Sequence, residues 1–206
     1  MRLAGLTASR DLSASQGPGG ARVDTHNLDK VLVRNILAHA HDYPWTLQEF
    51  GLLGLRLDDQ REYRLHVWAP DRWSGSPVIH DHPFDFTSRV VVGEMTNRRC
   101  VVDPSGVTYL RERYMPPNED VRTTDLVQLA GTVETYREGD EYAQLAHELH
   151  DSHQLPGTVT VIRRTFRDVG ELTVCRPEGA PWVSGTARPA TVQEVTAITS
   201  MALSWF

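Results

Sequence analysis

Ile79-His80-Asp81-His82-Pro83-Phe84-Asp85-Phe86, followed by Thr87-Ser88-Arg89-Val90-Val91-Val92-Gly93, is the stretch on which both fold and chemistry turn. Side chains two apart in a strand project to the same face. His80 and His82 therefore stand side by side, the arrangement by which a β-scaffold offers adjacent ligands to a metal. The run 87–95, rich in β-branched residues, reads as a strand. An HxH pair alone also fits ordinary surface or core histidines, and imidazole is a general acid or base as readily as a ligand.

Working outward, the same texture repeats. Short β-rich runs occupy 51–57, 63–69, 77–82, 100–115, 126–137, 158–166 and 171–175, with turn signals such as Asp103-Pro104-Ser105-Gly106 and Pro156-Gly157. Many short strands with such punctuation predict an all-β sandwich or barrel. There is no βαβ rhythm, no internal repeat and no glycine-rich phosphate loop, which leaves nucleotide binding of that kind without support. Before the strands, Asp24 or Thr25 caps a predicted helix carrying Leu28, Val31, Leu32, Ile36 and Leu37 on one stripe, ending before Pro44. At the other end, Thr191 to Phe206 places Val192, Val195, Ile198 and Ala202 on one face, which predicts a closing helix.

The 206 residues suffice for one domain with a core of its own. The boundaries fall at a polar, glycine-rich arm over residues 1–22 and a single domain over 23–206. Twenty-one Lys+Arg against 27 Asp+Glu leaves a net charge of −6, which excludes a broad basic surface for nucleic acid. No stretch approaches the roughly 20 apolar residues of a membrane span, and Met1–Arg10 lacks the apolar core of a signal peptide. A cytoplasmic protein is the expectation. Cys100 and Cys175 lie far apart, so they read as buried free thiols rather than a disulfide or thiolate metal site.

A second histidine group, His147, His150 and His153, follows Gly139. With it the sequence resembles the cupin superfamily, whose motifs are G-x5-H-x-H-x(3,4)-E-x6-G and G-x5-P-x-G-x2-H-x3-N. His80, His82 and Gly93 match the first, with Gly75 one residue closer than the pattern asks. His150 lies eleven residues after Gly139, as the second requires, although Leu145, His147 and Gln154 replace its proline, glycine and asparagine. The resemblance spans about residues 75–93 and 139–154 for the motifs themselves. It implies a double-stranded β-helix, the jelly roll, with one divalent metal held by His80, His82 and His150.

The motif's glutamate falls at Phe86. Cupins that lack it, such as the thiol dioxygenases, hold iron with three histidines, and this chain is similar in that respect. Asp85 can replace the carboxylate if the 83–88 turn bends. His147 or His153 can join the site, or hold a second metal, if 140–153 is helical, since a spacing of three keeps residues on adjacent turns of a helix but on opposite faces of a strand.

The run Glu62, Arg64, His66 and Trp68 alternates with Tyr63, Leu65 and Val67. If the polar set faces inward, Arg64 and His66 bind an anionic substrate group; if Leu65 and Val67 do, the polar set is solvated. Arg163 carries the same ambiguity with its neighbour Arg164. The resemblance implies an iron(II) dioxygenase or oxygenase acting on a small polar or thiol-bearing molecule. Two alternatives stay open: an isomerase, hydrolase or lyase using Zn, Mn or Ni, and a non-catalytic binding cupin. An exposed edge strand and two terminal helices suit a homodimer.

Overall fold

The computed structural model describes residues 25–48, 51–57, 63–69, 78–115, 118–166, 170–181 and 187–206. The predicted arm over 1–22, Glu62 and Gly75 lie outside these residues. The first sheet has the order β12 (Arg188–Pro189), β1 (Thr46–Leu47), β2 (Leu52–Arg56), β3 (Tyr63–Trp68), β10 (Val159–Phe166), β5 (Phe84–Val92) and β8 (Glu141–Gln144). The second has the order β11 (Leu172–Arg176), β4 (Ile79–His80), β9 (Leu149–Gln154), β6 (Glu94–Met115) and β7 (Asn118–Arg137). The pairings in both are antiparallel, as the all-β expectation requires.

Both predicted helices form, α1 (Thr25–Ala38) and α2 (Val192–Leu203). Thr191 begins α2 with a reciprocal cap: its hydroxyl accepts from the Glu194 amide and the Glu194 carboxylate accepts from the Thr191 amide. Val195, Ile198 and Ala202 are buried, but Val192 is exposed and does not join the stripe; in α1, Ile36 and Leu37 are buried while Val31 and Leu32 are exposed and Val33 takes their place. The helices cover the outer face of the first sheet, where Val33, Ile36 and Leu37 meet Leu53, Leu55, Leu65, Val67 and Val159. Burying such side chains contributes about 1.5–3 kcal/mol each. This covering decides the parity of the strands beneath it. With Leu65 and Val67 under the helices, Arg64, His66 and Trp68 must face the interior between the sheets.

The second sheet closes on itself. Besides β4, β11 pairs with the far half of β6, from Leu172 opposite Tyr114 to Arg176 opposite Leu110. Ile79, Cys100, Val127, Leu129 and Cys175 pack into one buried cluster on this sheet, and both cysteines are free and buried. The predicted turn at 103–106 is a bulge instead. Val102 and Val107 both oppose Leu129, and the strand continues to Met115. Asp103 accepts from the Ser105 amide and hydroxyl within the bulge. A Cβ on Gly106 would stand 2.3 Å from the Leu129 backbone, so the glycine is required by close approach. Pro156-Gly157, by contrast, is a true turn, with Gly157 at φ 82.

Candidate metal centre

His80 ends β4 and lies directly opposite His150 on β9, so the ladder itself sets these two rings side by side. His82 follows two residues on in the connection to β5. The ring centroids are 4.8 Å apart for His80 and His82, 4.8 Å for His80 and His150, and 5.2 Å for His82 and His150. One nitrogen from each ring lies within 4.8 Å of the others. Ligation at about 2.0–2.1 Å brings such nitrogens to about 3–3.4 Å of one another, closer than the rings stand here.

Partners on the far side of the rings fix which nitrogen is offered. His80 Nδ1 donates to the Val78 carbonyl at 2.9 Å and His150 Nδ1 donates to Asn97 Oδ1 at 2.8 Å. Both Nε2 atoms are thereby left as lone-pair donors, and His150 Nε2 is buried with no hydrogen-bond partner among the described residues. Asn97, itself fully buried, also accepts from Ser152 Oγ and donates to Gln144 Oε1.

Burial is the first cause holding all three imidazoles below their ordinary pKa. For His82 the cause is reinforced by His80, His150, His66 and Arg164, and for His150 by His80 and Arg99. For His80 the Val78 hydrogen bond, Asp81 and Asp151 partly offset it. The rings are neutral at pH 7, the form a metal binds. An orphaned buried Nε2 within a neutral three-nitrogen set fits a divalent metal.

The structure brings none of the alternative ligands to this cluster. Segment 145–148 is a turn between β8 and β9, not a helix. The His147 amide donates to the His82 carbonyl, and its ring lies 3.5 Å from Asp81, turned away from the three rings. His153 is exposed on β9, at odd parity from His150. Asp85 accepts from the Ala146 amide at 2.8 Å, which spends the carboxylate on holding this turn. Phe86 does occupy an inward position. It is buried, with its ring 5.3 Å from His82 and 6.0 Å from His150, and Phe84 stacks on the other side of His82 at 5.1 Å.

On the facing wall, His66 sits in one row between Gly54 and Thr160, and Arg64 in the next row opposite Ile162. Burial, then Arg64 and Arg164, push the His66 pKa down to about 3. Arg163 does not face the interior. It is exposed, 5.8 Å over Tyr63, beside a depression of about 230 Å³ on the outer face. Its neighbour Arg164 is the inward residue, buried with its guanidinium 4.6 Å over Phe84. Asn97 and Arg164 are the site-lining residues that the sequence did not single out.

No helix among the described residues is long and apolar enough to cross a membrane. No family model matches the sequence, and no curated protein matches it. Among solved structures the chain is similar to CENP-C of Drosophila melanogaster, solved bound to CAL1. The identity is 10%, covering 68% of this chain and 98% of that one, with a TM-score of 0.39.

Proposed function

We propose that this chain is a cupin-type metalloenzyme, and that it is an iron(II) oxygenase acting on a small polar or thiol-bearing molecule. The observation that carries the reading is the convergence of His80, His82 and His150, two of them with Nδ1 tied to an acceptor so that Nε2 is offered inward. Two antiparallel sheets with the cluster between them support a jelly-roll arrangement. Two free buried thiols support a reducing compartment such as the cytoplasm. Iron(II) bound there would supply redox chemistry and open coordination positions for substrate and dioxygen.

The chain's own residues set the terms of that chemistry. Three neutral imidazoles leave the full dipositive charge in place, where a carboxylate would cancel half of it. Phe84 and Phe86 flank His82 with apolar surface and exclude water from that side. Asn97 and Val78 hold the ring orientations from behind.

The test is metal analysis of untagged protein, followed by anaerobic reconstitution with iron(II) and an oxygen-uptake screen over small thiols, amino acids and organic acids. One equivalent of iron with substrate-dependent oxygen uptake is the expected result. Stoichiometric zinc, manganese or nickel with no oxygen uptake would transfer the chain to the Lewis-acid class. No stoichiometric metal would leave a binding module.

A further inference from the structure

We infer that the free edge of β7 pairs antiparallel with the same edge of a second copy of this chain, about a two-fold axis at Gln128. The two second sheets then become one. The inference is independent of the histidine cluster and concerns the outer edge of the sheet that carries it.

Strand β7 runs from Asn118 to Arg137 and, among the described residues, pairs only with β6. Its other side is a row of backbone N–H and C=O groups, on which a further strand can form. Folded chains blunt such edges with lysine, proline, bulges or short length. From Arg122 to Glu134 there is neither lysine nor proline, and the bulge between Val102 and Val107 lies on β6, so β7 stays regular. Parity then sorts the side chains. Val127 and Leu129 are buried with Ile79, Cys100 and Cys175, whereas Thr124, Leu126, Gln128, Thr132 and Glu134 are exposed, Leu126 at 60%. Val101, opposite Ala130, is 64% exposed and extends the same face onto β6.

The occupant follows from how this edge reads against itself. Directly opposite residues share a face, so two identical antiparallel strands can meet only in registers that oppose residues of like parity. With the centre on Gln128, Arg122 of each copy meets Glu134 of the other, which gives two opposite-charge pairs, one on each side of the axis. Leu126 meets Ala130, Thr124 meets Thr132, and Asp125 meets Gly131 rather than another charge. The apolar row of Val101 and Ala130 in one copy continues into Leu126 and Leu110 of the other. Arg122 already lies 3.5 Å from Glu112, and Glu134 accepts from the Tyr136 hydroxyl, so the new pairs extend existing ones. Moving the centre by one residue loses both pairs: at Val127, Arg122 would meet Thr132, and at Leu129, Glu134 would meet Thr124. A second copy carries the complementary edge by symmetry. One ladder is a small contact, so the expected dimer is reversible rather than obligate.

The experiment is sedimentation velocity of the full-length protein over a concentration series, joined to disulfide trapping of the register with diamide. A reversible monomer–dimer equilibrium is expected. Gln128→Cys places a thiol opposite its own copy across the axis and should give a covalent dimer. Val133→Cys should not, because its opposite is Thr123, and the native Cys100 and Cys175 are buried and set the background. Gln128→Glu and Gln128→Lys should each weaken association by about 5-fold, since like charges then meet, and an equimolar mixture of the two variants should restore it. Should either variant lower the melting temperature, the trapping result decides. A chain that stays monomeric throughout, a dimer indifferent to both charge changes, or Val133→Cys trapped as readily as Gln128→Cys would each overturn the inference.

Discussion

His66 should make this protein acid-sensitive in a way that one substitution removes. An unfolded histidine takes up a proton near pH 6.5, whereas the folded chain holds His66 neutral down to about 3. Between those values the unfolded state binds more protons, so folded-state stability is lost as pH falls through this window. Each pH unit is worth about 1.4 kcal/mol, which makes the full window roughly 5 kcal/mol as an upper bound and the span from pH 7 to 4.5 about 2.5 kcal/mol. The perturbation is His66→Leu, and the assay is urea unfolding of metal-free wild type and variant at half-unit steps between those two pH values. Loss of packing or of hydrogen bonds shifts the two curves by a constant. His80 and His150, also held below their ordinary values by burial, act equally on both, and His82, which His66 itself pushes down, shifts the difference in the same direction. The difference between the curves should therefore change by about 2.5 kcal/mol in favour of the variant as pH falls. A difference flat to within about 0.5 kcal/mol would refute the reasoning, because it would mean that the ring is solvated and titrates normally.

The remaining expectations concern the cluster and its support. His150→Ala should abolish stoichiometric metal binding and Asn97→Ala should weaken it by about 10–100-fold, while His147→Ala and His153→Ala leave it intact; equilibrium dialysis with cobalt(II) reads all four. Phe86→Glu should tighten metal binding by adding a carboxylate beside His82 and should lower the melting temperature of the metal-free protein, since the new charge is buried. Asp85→Asn keeps an oxygen for the Ala146 amide and should leave metal affinity unchanged; loss of metal in that variant would instead make Asp85 a ligand. Gly106→Ala should cost at least about 2 kcal/mol in chemical denaturation, because its Cβ has no space against the Leu129 backbone.

What could be read from the sequence was local. The spacing of α1, and the spacing and cap of α2, express themselves within a few turns, so the positions of both helices were legible, although Val31, Leu32 and Val192 lie off their buried faces. His80 and His82 were legible because parity within one strand needs no partner, and His150 through its distance from Gly139. Asn97 was not, because its role arises from the register of β6 on β9, which brings it to a histidine 53 residues away. The choice between Arg163 and Arg164 was likewise closed to sequence reasoning, since only the helices packed on Leu65, Val67 and Val159 define which side of the sheet is inside. The helix-like spacing around His147 was overridden by the cross-loop bonds of Asp85 and His82 to the 145–148 turn. The turn chemistry of Asp103-Pro104-Ser105-Gly106 marks a local bend, which the pairing of β6 with β7 on both sides turns into a bulge within the run 100–115.

Closure of the second sheet divides the histidine cluster into two mechanical parts. His80 and His150 belong to adjacent strands of a ring without a free edge between β11 and β6, so neither strand can slide past the other without breaking the whole circuit of backbone bonds. They form a rigid two-point jaw. His82 instead rides on the segment leading into β5, anchored by the Asp81 amide to the Thr173 carbonyl and by the His147 amide to its own carbonyl. Two of the three rings are thus placed by strand register and the third by loop anchors, so a change in the β4–β9 ladder and a change in the 145–148 turn would disturb different members of the cluster.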